Sequence, residues 1–308
     1  MPDFSAAIRR RRAIDAAFSV AGAILTIVVL AVLGALVFDL VRTGLSRLDL
    51  SFLTSFPSRR PEKAGVLSAW VGTLCVIFVT ASTAIPLGIA AGVYLEEYAR
   101  KSWLTAVIEV NIGNLAGVPS IVYGLMALGL FVYRFGFGQS ILSGGLTLAL
   151  LILPIVIVAT REALRAIPQH IREAAYALGA TRWQVVRHHL LPYSAGGIAT
   201  GVIIALSRAL GETAPLITIG ALTFIAFLPR APFSPVAPED GGGFVGPFDW
   251  LGDSFTVLPI QMFNWVSRPG DSFLPNAAAT GLVLMIVTLA MNAGAIVIRS
   301  RARRRIRW

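Results

Sequence analysis

The chain contains 308 residues, of which 56% are hydrophobic and only 14% are charged. Soluble domains carry about 25% charged residues, so this composition excludes an ordinary soluble protein and predicts an integral membrane protein. The net charge of +10 does not indicate a nucleic-acid partner, because most basic residues flank apolar runs, as membrane topology requires. The expected surroundings are therefore a lipid bilayer.

Six apolar segments approach or exceed the length of about 20 residues that crosses a bilayer. They cover residues 18–41, 66–94, 115–134, 141–160, 194–226 and 276–298. The sequence therefore predicts an all-α fold with six transmembrane helices. The first segment follows the basic residues Arg9–Arg12 and is longer than the apolar region of a signal peptide. We expect it to be a retained helix.

Glycine and proline interrupt four of these segments, in "TAIPLGIAAG", in "NLAGVPSIVYG", at Pro154 and in "GETAP". The second and fifth segments are also longer than one crossing needs, which predicts tilt or breaks. Broken membrane helices are tolerated where they face protein or a water-filled cavity, and this favours a transporter. Close helix packing explains any single glycine equally well.

The basic residues predict the topology, since Lys and Arg concentrate on the cytoplasmic side. With the N-terminus inside, 17 of the 26 Lys and Arg residues lie in inner segments and eight in outer segments. Both termini are therefore expected in the cytoplasm. The chain divides into an N-terminal part (1–63), a core (64–298) and a basic tail (299–308).

Two loops of the core have distinct compositions. The outer loop, residues 227–275, begins with a Pro- and Gly-rich stretch that cannot form a regular helix. Its second half carries Trp250 and Trp265, and because tryptophan favours the membrane interface, we expect an interfacial or re-entrant element there. Contact of this loop with an external protein is a hypothesis from its placement.

The inner loop, residues 161–192, predicts a short helix, a turn and a second short helix. Pro168 can open the first helix, and Gly179 suits the positive φ of a helix C-terminal cap. Thr181 and Gln184 form a capping box for the second helix, and Pro192 marks its junction with the fifth segment. Periodicity alone leaves open whether this compact loop docks to a protein or rests on the lipid surface.

The segment "EAAYALGATRWQVVRHHLLP" resembles the EAA loop of binding-protein-dependent ABC importer permeases. His189 departs from the family pattern, which has isoleucine there. The resemblance implies that this loop, which we call the EAA loop (161–192), is the coupling element that docks into a cytoplasmic ATPase subunit. The matching positions are Glu173, Ala174, Ala175, Gly179, Leu191 and Pro192.

Arg208 and Glu212 are two opposite charges in an apolar region, spaced i and i+4 so that they share a helix face. An intramembrane charge costs about 2.5–3.5 kcal/mol and usually marks a substrate path. The planar guanidinium of arginine binds oxyanions through paired hydrogen bonds, and a neighbouring glutamate would keep that binding weak enough for release. A structural ion pair that fixes helix packing is the alternative.

The segment "SRALGETAPLITIGA" resembles PstA-type permeases of phosphate importers, as do residues 70–99, 114–125 and 255–269. The resemblance implies an ABC importer type I permease fold in a bacterial cytoplasmic (inner) membrane. It implies a heterodimer with a PstC-type permease, two copies of an ATPase, an external phosphate-binding protein, and inorganic phosphate as substrate. Arg208 and Glu212 would line the path, together with Asn114, Ser120 and Tyr123.

No G-x-x-x-x-G-K-[ST] nucleotide-binding loop is found in the sequence, so ATP and Mg²⁺ are expected on the partner ATPase. No catalytic constellation, metal site or cofactor of this chain is expected; Cys75 is interpreted as a small apolar residue, and His170, His188 and His189 as surface or partner contacts. The alternatives are a permease for sulfate or molybdate, an intramembrane enzyme acting on a lipid phosphate, and a regulatory or scaffolding subunit.

Overall fold

A computed structural model describes residues 4–221, 224–235 and 244–304. Within these ranges one isolated β-bridge joins Pro235 and Phe244, and the regular structure is otherwise helical, as predicted. The α-helices are α1 (Phe4–Gly44), α2 (Leu50–Thr54), α3 (Leu67–Val93), α4 (Trp103–Leu115), α5 (Ser120–Ala127), α6 (Ile141–Arg165), α7 (Gln169–Ala177), α8 (Arg182–Val185), α9 (Leu191–Gly211), α10 (Ala214–Thr218), α11 (Leu258–Val266) and α12 (Leu274–Arg304).

Five membrane spans are continuous and a sixth is bent. Helical stretches long and apolar enough to cross a bilayer are Arg10–Gly44, Leu67–Tyr98, Ile141–Arg165, Arg182–Gly211 and Asp271–Val297. The pair Trp103–Leu115 and Ser120–Arg134 passes the same test together, with a bend of 107°. The described part of the chain thus has six spans when this pair counts as one.

Prolines explain where the third and fifth spans break. Glycines and prolines interrupt the predicted segments 115–134 and 194–226, and the structure has a break in each, since α4 ends at Leu115 and α9 ends at Gly211. Each of these residues lies four positions before a proline, Pro119 or Pro215, whose ring would clash with that carbonyl in a continued helix. The segment at "GETAP" is therefore a helix, a break at Glu212 and the short helix α10.

Two other prolines do not break their helices. α3 runs through Pro86 and α6 through Pro154. Neighbouring membrane helices can satisfy the backbone groups that a proline frees, and α3 and α6 are packed closely along each other. A Cβ on Gly88 would lie 2.6 Å from Val156 Cγ1. A proline therefore does not by itself decide where a span of this bundle is interrupted.

α6 is the centre of the bundle, with two thirds of its most apolar stretch buried, whereas the same measure for α1 is zero. α6 contacts α3 on one side and α9 on the other. Gly197 and Gly201 of α9 sit four residues apart, and a Cβ on either would collide with Ala163 or Ala159 of α6. Small residues at this spacing let two membrane helices approach closely.

The outer loop contributes a helix to the protein interior. α11 packs against α12 and α3, and Trp265 is 1% exposed, with its ring 5.9 Å from that of Phe52. Trp265 is therefore covered by aromatic neighbours within the protein. Residues 236–243 of the Pro- and Gly-rich stretch lie outside the described residues.

An ion pair fixes the start of the outer loop. Arg230 donates from its backbone N–H and from Nε to the Asp253 carboxylate, at 2.7 and 2.8 Å. This partner raises the pKa of Arg230 above its ordinary value. The Asp253 carbonyl in turn accepts from the Ile141 N–H at 3.0 Å, so the loop is attached to the first residue of α6.

Candidate functional site

The two helix breaks are adjacent in space. α5 begins after the break in the third span, α10 begins after the break in the fifth span, and these two short helices pack against each other. A Cβ on Gly124 would overlap Thr218 Oγ1 and lie 2.7 Å from Pro215 Cα. Glycine at position 124 is therefore required for the contact that unites the two breaks.

Arg208 and Glu212 lie at the break of the fifth span. Arg208 is in the last turn of α9, and Glu212 is the first residue beyond it, with an extended backbone (φ −81°, ψ 121°). The two do not share a helix face as predicted, because the helix ends between them. Their side chains nevertheless pair, with Arg208 Nε 3.3 Å from Glu212 Oε1.

The Arg208 guanidinium is open to its surroundings. Its side chain is 42% exposed and that of Glu212 is 19% exposed. Within the described ranges Glu212 is the one hydrogen-bond acceptor of Arg208, and the bond uses Nε. Both terminal nitrogens of Arg208 can therefore donate to another oxygen.

Within the described residues no hydrogen bond links Tyr123, Asn114 or Ser120 to Arg208. Tyr123 is 5% exposed, and its hydroxyl donates to the Leu115 carbonyl at 2.9 Å. This bond spans the break and satisfies a carbonyl at the end of α4. Ser120 is half-buried and Asn114 exposed; neither side chain forms a hydrogen bond within the described part of the chain.

The EAA loop has the predicted helix–turn–helix form. α7 is followed by Gly179 at φ +83°, and the Thr181–Gln184 capping box opens α8. The predicted junction at Pro192 is not an interruption, since a π-helical turn over Val186–Leu190 joins α8 to α9. The second half of the EAA loop and Arg208 therefore belong to one continuous helix, Arg182–Gly211.

The predicted EAA residues divide between the surface and the interior. Glu173, Ala174 and Gly179 are exposed, Ala175 is buried, and Leu191 and Pro192 are half-buried. Glu173 Oε1 accepts from Gln169 Nε2 at 3.0 Å within α7. The spacing of the motif does not by itself reveal this division.

Three large apolar side chains on the EAA loop were not singled out by the sequence. Tyr176, Leu178 and Trp183 are 42%, 90% and 57% exposed. They surround the glycine turn, and exposed apolar groups clustered in this way mark interaction surfaces. Their position beside Gly179 is the signal that could have found them.

A cluster of charges joins α4, α6 and the π-helical turn that follows α3. Arg161 Nη2 lies 2.6 Å from Glu109 Oε1, and Arg165 Nε lies 2.9 Å from Glu96 Oε2. The Arg161 side chain is only 7% exposed. Sequence reasoning used these arginines for topology alone and missed the glutamates, because the pairs join residues more than 50 positions apart.

The described residues contain no group of three or more His, Cys, Asp or Glu that could hold a metal ion. Cys75 is a free, half-buried cysteine packed against the main apolar core. No other cluster of this part of the chain has the form of a catalytic centre. The exposed Arg208 guanidinium, whose terminal nitrogens have no partner in this part of the chain, is able to donate hydrogen bonds to an oxyanion.

The described chain is a helical membrane bundle with two broken spans. An accessible arginine lies at the breaks, and a helical loop lies at one end of the bundle. This combination is that of a transport permease. The chain belongs to the family of binding-protein-dependent transport system inner membrane components, whose model matches residues 84–233. It is thus a membrane-embedded transport subunit.

Two relatives extend this match over the chain. The phosphate transport system permease protein PstA of Xylella fastidiosa (strain Temecula1) is 32% identical over 93% of both chains. The probable ABC transporter permease protein YqgI of Bacillus subtilis is 34% identical over 68% of this chain and 72% of its own length.

Among solved structures, the inward-facing MetNI methionine ABC transporter matches with a TM-score of 0.58 at 18% identity. The match covers 75% of this chain and 93% of that chain. At this identity the likeness shows the fold, which is that of ABC importer permeases.

Proposed function

We propose that this chain is the membrane-spanning permease subunit of an ATP-driven importer of inorganic phosphate. The observation that carries the proposal is the Arg208 guanidinium, exposed at the meeting point of two broken helices with both terminal nitrogens available. Relatives named as phosphate transport permeases match at 32–34% identity. Arginine suits this substrate, because its planar fork donates paired hydrogen bonds to phosphate oxygens.

Glu212 keeps the bound anion weakly held. Its carboxylate occupies Nε of Arg208 and repels a second negative charge nearby. A transport site must release its substrate as well as bind it, and the nearby carboxylate lowers the affinity for the anion so that release is possible. Tyr123, Ser120 and Asn114 complete the path in this proposal, with Tyr123 acting mainly by holding the break next to Arg208.

The EAA loop connects this site to ATP hydrolysis on a separate subunit. In the proposal, Glu173, Ala174, Ala175 and Gly179 form the docking helix and its turn, and Leu191 and Pro192 continue it into α9. The exposed Tyr176, Leu178 and Trp183 enter an apolar groove of the ATPase, which itself binds ATP and Mg²⁺. Movement of the docked loop is transmitted along the helix that carries Arg208.

The assembly that we infer contains this chain, a PstC-type permease, two ATPase copies and an external phosphate-binding protein. It lies in the bacterial cytoplasmic (inner) membrane with both termini of this chain in the cytoplasm. The N-terminal part, core and basic tail keep the boundaries predicted from the sequence, and the outer loop contacts the binding protein.

Uptake by the reconstituted complex tests the proposed function. Vesicles containing the complex and the binding protein are loaded with ATP or with a non-hydrolysable analogue, and labelled phosphate accumulation is measured. We expect accumulation with ATP only, undiminished by excess sulfate or molybdate. Equal uptake without hydrolysis, or preferential uptake of sulfate or molybdate, would contradict the proposal.

A further inference from the structure

Arg172 directly precedes Glu173, the first residue of the EAA motif, and its side chain contacts the helical bundle. Its Nε and Nη2 donate to Glu97 Oε1 at 3.1 and 2.8 Å. Glu97 lies in the π-helical turn Tyr94–Tyr98 that extends α3. The Glu97 side chain is 9% exposed and that of Arg172 is 17% exposed, so this ion pair is largely withdrawn from solvent.

The same guanidinium also binds the end of α6. Arg172 Nη1 donates to the Ile167 carbonyl and Nη2 to the Leu164 carbonyl, both at 2.9 Å. Carbonyls at a helix C-terminus have no partner within the helix, and the helix dipole attracts a positive charge there. All three nitrogens of Arg172 are therefore used, and they join α7 to α6 and to the extension of α3.

Apolar packing supports this contact. Ala175 of α7 is buried in a cluster with Val93 of α3 and Leu164 of α6. The EAA loop consequently has two attachments to the bundle: the continuous helix α8–α9 and the contact through Arg172. Loss of the Arg172 contact would leave α7 joined to α6 only by the short connection 166–168 and by the apolar packing around Ala175.

We propose that Arg172 and Glu97 form a clamp that makes the EAA loop move as one body with α3 and α6. Arg172 is a positioning residue, which acts through the loop and does not touch the substrate. The clamp delivers movement of the loop to the centre of the bundle as well as to α9. This inference rests on the proposed coupling of the EAA loop to an ATPase.

Arg165 provides a matched control. It pairs with Glu96, the residue next to Glu97, and so joins α6 to the same π-helical turn. No hydrogen bond or ion pair of Arg165 reaches α7 within the described residues. Arg165→Ala therefore removes a neighbouring Arg–Glu pair without releasing the EAA loop.

Hydrogen–deuterium exchange of the purified complex tests the attachment independently of the substrate. Arg172→Ala should increase amide exchange in residues 169–178, since loss of the clamp permits local opening, whereas Arg165→Ala should leave that segment unchanged. Unchanged exchange in Arg172→Ala, or an equal increase in Arg165→Ala, would overturn the clamp.

The coupling itself is measured as substrate molecules transported per ATP hydrolysed. We expect Arg172→Ala to lower this ratio by about tenfold with ATP hydrolysis retained, Arg172→Lys to lose less, and Arg165→Ala to match the wild type. If Arg172→Ala does not assemble, Glu97→Gln retains the size and an acceptor oxygen and should lower the ratio by about threefold. An unchanged ratio in an assembled clamp variant would refute the proposal.

Failure of the wild type to transport phosphate would instead refute the proposed function, and the exchange experiment would still decide whether the clamp holds the EAA loop.

Discussion

Arg172 and Arg208 are two arginines of the same chain that use their donors differently. Arg172 is 17% exposed and forms four hydrogen bonds from all three nitrogens. Arg208 is 42% exposed and has one hydrogen bond, at 3.3 Å, within the described residues. A saturated arginine can bind a ligand only by breaking existing bonds, so the first stabilises structure and the second remains available to an anion.

The comparison also explains how the two regions can act together. The EAA loop is held on one side by the Arg172 contact and continues on the other side into the helix whose last turn carries Arg208. The EAA loop is rigidly held at one end of this helix, and Arg208 is lightly held at the other end. A displacement of the EAA loop can therefore be transmitted along the helix to Arg208.

The largest expected effect is on transport in Arg208→Ala. Loss of charge-assisted hydrogen bonds to phosphate should lower uptake by about 10- to 100-fold, with the complex fully assembled and its unfolding midpoint unchanged. Labelled-phosphate uptake and thermal unfolding of the purified complex measure the two quantities. Arg59→Ala, at an exposed position of the outer segment, is the control. Normal phosphate uptake by Arg208→Ala would show that Arg208 does not line the substrate path.

Arg161→Ala should lower the stability of the protein, which Arg208→Ala should leave unchanged. Its buried guanidinium neutralises Glu109 and Glu96, and removing one partner of a buried pair costs about 3 kcal/mol. The free energy of unfolding, measured by SDS titration of the purified chain, should fall by this amount. Arg165→Ala, at 45% side-chain exposure, should cost at most about 1 kcal/mol; equal losses would show that burial does not distinguish the pairs.

Gly179→Ala tests the turn of the EAA loop. Nothing lies within 4 Å of the added Cβ, but the residue has φ +83°, and a left-handed conformation costs an L-residue about 1–2 kcal/mol. We expect weaker retention of the ATPase in size-exclusion chromatography of the complex. Gly34→Ala, where the added Cβ also meets open space but the residue has no positive φ, should retain the ATPase normally. Identical retention by the two variants would show that the turn at Gly179 does not affect docking.

The smallest expected effect is that of Glu212→Gln. The neutral amide no longer opposes an anion near Arg208, and an exposed pair of this kind contributes about 1 kcal/mol at most. The KM for phosphate uptake should therefore fall by up to about fivefold, with a lower maximal rate because release slows. A raised KM would mean that Glu212 holds Arg208 in its binding position and does not limit affinity.

Local sequence signals predicted the elements that depend on local physics. Apolar length gives the spans, and the Thr181–Gln184 capping box and Gly179 give the shape of the EAA loop. The Arg208–Glu212 pair was identified from charge within an apolar run. Its open geometry was not, because exposure depends on the helix break at Gly211 and on which helices pack nearby.

The sequence by itself determined that this chain is a helical membrane protein with a structured EAA loop, since hydropathy and capping act over a few residues. Only the tertiary structure decided that Pro119 and Pro215 accompany breaks while Pro86 and Pro154 lie inside continuous helices, because a membrane bundle can accommodate either outcome at a proline. It also decided that Glu97 meets Arg172 across 75 positions. Such a contact depends on how the helices pack, which no local pattern records.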